Sequence, residues 1–256
     1  MKAVGRHFVT MSCMHTAAGA STATVLVFSG FLVDIDGHWV YITAGHIAKD
    51  IQASLDAGGS FQVWRLGDQT AFGSFGNIAI PYDFNIDRWL VIENEKTGLD
   101  YAAVVLDDMY CRSLSAGGAQ PIARNAWGDY VSDHAQWILV GVPSETVTHD
   151  GNRTITARVV MLPLEPVNEP AAAGTKSANQ FYALLKMDSS TSISDIDGMS
   201  GGPIFATQWV NKELRYTIIG VQSSWYRNSK VIAACPFSSF GLELERIVAI
   251  ARSEET

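Results

Sequence analysis

The sequence predicts an all-β fold: two β-barrels followed by a C-terminal α-helix. Three observations lead there. Short runs rich in β-branched and aromatic residues recur along the chain, punctuated by glycine, proline, asparagine and aspartate. They form two groups, six or seven runs before a turn-rich gap and six after it. Helical periodicity stays weak until the last segment, LELERIVAIARSEE.

In chain order, strands are expected near 7–11, 23–33, 38–44, 61–67, 77–82, 88–93 and 101–106. The step LVDIDGHWVYI reads as a hairpin turning at Asp36-Gly37, because Asp-Gly suits the tight turn that matches strand twist. The second group falls near 135–142, 154–163, 180–187, 202–206, 214–222 and 229–235. Between them MYCRSLSAGGAQPIARNAWG (109–128) is rich in small and turn residues and reads as the crossing between units 1–115 and 116–256. In the final helix Leu242, Leu244, Ile247, Val248 and Ile250 are expected to form one apolar side. There is no internal repeat and no low-complexity segment.

Composition narrows the function. The chain has 256 residues, 47% hydrophobic and 17% charged, enough to bury a sizeable core. Its net charge is −8, and its 18 Lys and Arg form no basic block, which argues against a nucleic-acid partner. The longest apolar run, ATVLVFSGFLV (23–33), is too short to span a bilayer, so no membrane is expected. The opening MKAVGRHFVTMSCMHTAAGA lacks the pattern of a signal peptide. Cys13, Cys111 and Cys235 are an odd set without metal-ligand spacing. They read as small hydrophobes in a reducing compartment, and the expectation is a cytoplasmic protein without metal or cofactor. The sequon Asn152-Arg153-Thr154 has no meaning without secretion.

One stretch resists explanation as packing: GMSGGP, Gly198 to Pro203. Glycine at that density weakens a strand or helix, so the backbone there must come close to another group. A serine hydroxyl becomes a useful nucleophile when a base lies within hydrogen-bond reach. It also needs N–H donors aimed at the oxygen that turns negative when a carbonyl is attacked. A glycine-rich turn around Ser200 supplies both access and donors. The looser pattern G-x-S-x-G also occurs in α/β-hydrolases, whose histidine follows the serine. None of His7, His15, His38, His46, His134 and His149 follows Ser200, which excludes that order. The order His, Asp, Ser remains. His46, directly after the apolar run WVYITA, is the best placed base, whereas His38 sits at a turn. Asp100 directly precedes the apolar AAVVL, where a carboxylate can be buried and can hold an imidazole in one tautomer. Asp107 and Asp108 close the same strand and read as surface residues.

Four pieces in order, TAGH (43–46), DYAAVVL (100–106), GMSGGP (198–203) and GVQSS (220–224), resemble the trypsin/chymotrypsin-like serine peptidases. The histidine-to-aspartate and aspartate-to-serine spacings are 54 and 100 residues. The resemblance implies two six-stranded barrels with the site in the cleft between them. It implies that His46 is the general base, that Asp100 orients it, and that Ser200 is the nucleophile, with the N–H groups of Gly198 and Ser200 as the oxyanion hole. GVQSS implies a strand that pairs with substrate backbone, with Ser223 beside Asp100. Ser224-Trp225 also fits that family's Ser-Trp step and would move this assignment by one. The resemblance implies that Ser194, six residues before the nucleophile, lies at the base of the specificity pocket, where it brings no charge.

Departures refine the expectation. Ile47 and Ile196 stand where secreted members carry cysteines, so the disulfide framework is missing. Met199 stands where an aspartate receives a freed N-terminus, so the turn must be held by packing. The chain from Met1 is therefore expected to be competent without cleavage, with control by a protein partner or by movement of the loop at 188–198. The expected activity is hydrolysis of peptide bonds in a peptide or protein substrate through an acyl-enzyme. Two alternatives stay open: a catalytically silent fold that binds a peptide or protein, and an esterase using the same three residues.

Overall fold

The computed structural model describes residues 2–67, 79–130, 136–151, 154–170, 178–187 and 193–254. His134, Asn152, Arg153 and the first five residues of the loop at 188–198 lie outside them. After a short helix α1 (Lys2–Gly5), the N-terminal half contains β1 (Phe8–Thr16), β2 (Thr24–Ile35), β3 (His38–Thr43), β4 (Ser60–Gly67), β5 (Ala79–Pro81), β6 (Leu90–Asn94) and β7 (Leu99–Val105). These seven strands form one antiparallel sheet in the order β5-β4-β1-β2-β3-β7-β6. All seven runs read from the sequence are strands, one more than the six that the resemblance implied, and β5 and β6 are the two edges of the hydrogen-bonded sheet. The hairpin between β2 and β3 turns as expected. Asp36 and Gly37 both have positive φ (55° and 87°), and Ile35 pairs with His38 across them.

The C-terminal half has β8 (Gln136–Gly141), a two-stranded ribbon of β9 (Thr148–His149) and β10 (Ile155–Thr156), then β11 (Val160–Val167), β12 (Phe181–Leu185), β13 (Pro203–Val210), β14 (Glu213–Tyr226) and β15 (Val231–Pro236). Six of these close into a barrel, in the order β11-β12-β15-β14-β13-β8. The run expected as one strand at 154–163 is divided between β10 and β11. Three further helices are α2 (Gly45–Asp56), α3 (Asp108–Ala116) and α4 (Phe237–Glu254). No helix among the described residues is long and apolar enough to cross a membrane.

The strands read as unbroken apolar runs because many bury both faces, and the strand period of two divides them between different cores. On β2, Phe31 and Val33 face the seam between the halves, whereas Leu32 faces the core of the N-terminal sheet. On β3, Val40 and Ile42 face the seam and Tyr41 faces inward. On β8 and β14, Val140 and Ile218 meet the seam while Leu139 and Ile219 fill the closed barrel. At the seam Phe31 meets Phe237 edge-on, with centroids 5.7 Å apart. Both are fully buried, worth roughly 2–3 kcal/mol each.

Helix α4 begins five residues earlier than its sequence pattern suggests, and this changes its buried face. Phe237, Phe240, Leu244 and Val248 pack on the seam at helical spacing, whereas Leu242 and Ile250 are exposed. Cys13 and Cys235 are buried and Cys111 is half-buried, all three as free thiols. Burial pushes the Cys13 and Cys235 thiols up to about 12.

One buried histidine spans the seam. His7 Nδ1 donates to the Gln120 carbonyl at 2.7 Å, since a carbonyl can only accept. That leaves Nε2 as an acceptor for the Tyr216 hydroxyl at 2.8 Å, and the same hydroxyl accepts from Arg6 at 2.7 Å. Burial lowers the His7 pKa to about 4; the Gln120 carbonyl opposes this shift and the Arg6 charge adds to it.

Candidate active site

His46 is the second residue of α2, directly after the β3 strand that positions it. Asp100 lies on β7, the strand paired with β3. The Asp100 carboxylate accepts from the His46 ring at Nδ1 (2.8 Å) and from the His46 main-chain N–H (2.7 Å). Two bonds to one residue fix both the ring's orientation and its tautomer, with Nε2 left as the basic nitrogen. Asp100 is 6% exposed, so its charge acts in a poorly screened setting.

The C-terminal half supplies the third partner of that carboxylate. Ser223 of β14 donates its hydroxyl to Asp100 Oδ2. The one-residue ambiguity between Ser223 and Ser224 is thereby resolved in favour of Ser223. Burial pushes the Asp100 pKa up, but the His46 ring, the Ser223 hydroxyl and the His46 N–H outweigh it and hold the pKa below its ordinary value. For His46, burial pushes the pKa down, while the bond and charge of Asp100, helped by Asp50 and Glu93, hold it above its ordinary value.

Ser200 is half-buried in the same cleft, which Gly198 and His46 also line. Its hydroxyl donates to the Ser223 carbonyl at 3.3 Å, and no hydrogen bond joins it to the His46 ring. The turn around it is built by two glycines in the left-handed region, Gly198 (φ 88°) and Gly201 (φ 84°). A Cβ on Gly201 would lie 2.1 Å from Thr43 Oγ1 and 2.6 Å from the Ser29 carbonyl, so the N-terminal half fills the space a side chain would need. The close approach implied by GMSGGP is therefore to the opposite half at Gly201, and to Ser144 and the Val140 carbonyl of its own half at Gly198 and Gly202. Met199 is fully buried among Ile193, Ile196 and Ile204, an apolar anchor under the turn.

The carbonyls around this turn are tied down and two N–H groups are not. The Asp197 carbonyl accepts from the Ser144 N–H at 2.6 Å. The Gly198 carbonyl accepts from the Ser29 hydroxyl at 3.0 Å, and Ser29 Oγ in turn accepts from the Val142 N–H at 3.0 Å. The N–H groups of Gly198 and Ser200 have no acceptor among the described residues. Two free donors beside a serine, with their carbonyls pulled away, can receive a developing oxyanion. Ser29, fully buried on β2, is a site residue that sequence reasoning missed.

Ser194 behaves differently from the others. It is exposed, and its N–H and hydroxyl donate to the Glu145 carboxylate at 2.8 and 2.6 Å. It lines neither of the two cavities that meet at His46. Arg227, just past β14, pairs with Asp195 at 2.8 Å and with Asp197, joining the segment before Gly198 to the end of that strand.

No protein-family model matches the chain, and no curated protein matches it. Solved structures do. The thermostable serine protease AL20, from an extremophilic microorganism, matches with a TM-score of 0.50 over 95% of this chain and 96% of its own, at 15% identity. A Glu endopeptidase solved in complex with MPD matches with a TM-score of 0.51 over 93% of this chain and 89% of its own, at 14% identity. What survives at such low identity is the course of the backbone, and that course is the trypsin/chymotrypsin-like serine protease fold.

Proposed function

We propose that the protein is a serine endopeptidase acting on peptide or protein substrates. One observation carries the reading: Asp100 of the N-terminal half fixes His46 by two bonds and meets Ser223 of the half that holds Ser200 and its free N–H donors. In this reading, His46 Nε2 takes the Ser200 proton as Oγ attacks the scissile carbonyl carbon. The oxyanion is received by the N–H groups of Gly198 and Ser200, and the imidazolium is stabilised by Asp100. His46 then gives the proton to the departing amine, leaving an acyl-enzyme that water cleaves by the same steps in reverse. The N-terminal half, residues 1–115, is read as the second barrel, completed by side-chain packing of its inner core. Ser223 is read as a substrate-side residue as well as a support for Asp100. Three free cysteines support a cytoplasmic setting.

A catalytically silent, peptide-binding fold is the second reading, and one observation favours it. The Ser200 hydroxyl is engaged by the Ser223 carbonyl and not by His46. A fluorophosphonate probe decides: stoichiometric labelling of Ser200, abolished in Ser200→Ala, supports the peptidase. Peptide turnover in Ser200→Ala should fall roughly 10⁴-fold or more. Unlabelled protein, or an active Ser200→Ala variant, refutes it.

A further inference from the structure

Two cavities meet at His46, and they differ in size and lining. The smaller, about 260 Å³, is polar, with Asp100, Glu93, Gln180, Ser223 and Ser224 among its lining residues. The larger, about 640 Å³, also contains Ser200 and Gly198 and runs away from β14. Beside polar groups such as Ser54 and His149 it has an apolar and aromatic wall of Val25, Phe28, Ile47, Ile51 and Phe61, with His15 stacked on Phe61 at 4.5 Å. Pockets of several hundred Å³ with such walls bind apolar groups of drug size.

A second feature lies along the same cavity. Residues 24–28 of β2 pair with β1 on one side, from Thr24 opposite His15 to Phe28 opposite Met11. On the other side β3 reaches only as far as Phe31. The backbone of 24–28 therefore presents a strand edge without a partner among the described residues. Such an edge accepts an extended peptide by main-chain bonding, while adjacent pockets take alternate side chains.

We propose that this cavity selects the leaving-group half of the substrate, through an aromatic or long aliphatic side chain just beyond the scissile bond. The inference rests on the peptidase reading. On that reading the acyl half of the substrate pairs with β14, whose Ser223 and Ser224 line the smaller cavity, so the segment beyond the bond extends into the larger one. Asp50, exposed at the wall of the larger cavity, disfavours an acidic side chain there.

Acyl transfer tests this without knowledge of the acyl preference. With 4-nitrophenyl acetate, Ser200 Oγ bonds to the acetyl carbon and 4-nitrophenolate leaves. An amino-acid amide then bonds that carbon through its nitrogen, while Oγ leaves and recovers a proton by way of His46. Water competes in the same step. The ratio of acetylated amide to acetate, read by chromatography, should be about 10- to 100-fold higher for phenylalaninamide than for glycinamide, and lowest for aspartic acid amide. In Phe61→Ala the preference should shrink to within about threefold. The ratio is taken within acylated molecules only, so loss of folded protein cancels. Equal capture of phenylalaninamide and glycinamide, or preferred capture of the acidic amide, overturns the inference and leaves the peptidase reading standing. Failure to release a burst of 4-nitrophenolate, together with failure to label with the fluorophosphonate, overturns both.

Discussion

Lowering the pH from 7 to 4 should weaken the seam between the halves through a single ring. His7 is 4% exposed and neutral in the folded protein, where its pKa is lowered to about 4 from an ordinary 6.5. The sign follows from linkage. A histidine with a depressed folded pKa stabilises the fold fully above the unfolded value, and that contribution is lost as the unfolded chain alone takes up the proton. The window is therefore pH 6.5 down to about 4, below which both states are protonated. At ~1.4 kcal/mol per unit the loss sums to about 3 kcal/mol, a large part of the stability of a typical domain. The structure explains the direction. Protonated Nε2 would aim a second cationic donor at the Tyr216 hydroxyl, which already accepts from Arg6. Urea unfolding followed by tryptophan fluorescence at pH 7, 6, 5 and 4, for the native protein and His7→Gln, isolates this ring from all other titrations. The stability advantage of the native protein over the variant should fall by about 3 kcal/mol across the series. Parallel pH dependences for the two proteins would refute the assignment.

Two further outcomes concern the site. The proposed mechanism requires neutral His46, whose pKa is held above 6.5, so kcat/KM should rise with pH with its midpoint above that value; a profile with its midpoint below 6 contradicts the Asp100 pairing. Ser29→Ala removes the donor to the Gly198 carbonyl and the acceptor of the Val142 N–H. It should cost about 2–4 kcal/mol of stability in urea unfolding. It should also lower kcat about tenfold to a hundredfold with less effect on KM, because an oxyanion donor loosens; a change confined to KM would show that Ser29 does not hold the turn.

Local pattern carried much of this architecture into the sequence. The Asp36-Gly37 hairpin was legible because the two positive-φ residues of the turn are adjacent and flanked by alternating apolar residues. That His46, Asp100, Ser200 and Ser223 come together was legible because each sits in a short apolar or glycine-rich setting. Helix α2 was not, since its buried residues besides Gly45 are only Ile47, Ala48 and Ile51, too few for a period to emerge. Helix α3 hides in the crossing segment for the same reason, with Tyr110 and Leu114 as its buried pair. Residues whose role depends on distant partners leave no local mark. Ser29 meets Gly198 across 169 positions, and His7 meets Tyr216 across 209. Ser194 illustrates the converse. Its spacing from Ser200 suggested a pocket base, yet Glu145, 49 residues away, takes both of its donors.

The division of the site between two halves has a consequence for how the protein is made. A ribosome delivers the His46–Asp100 pair first, and the chain is then 123 residues short of Ser223. At about 5–20 residues per second that stretch takes roughly 6–25 seconds to synthesise. For the first 100 of those residues the nascent chain lacks Ser200, to the end it lacks Ser223, and its seam residues Phe8 and Phe31 still lack their cover. On the proposed function, a chain assembled in this order is inert for as long as its own backbone is open to cutting. On that reading, hydrolysis begins only when the second half has closed on the first and the cleavable segments are folded away.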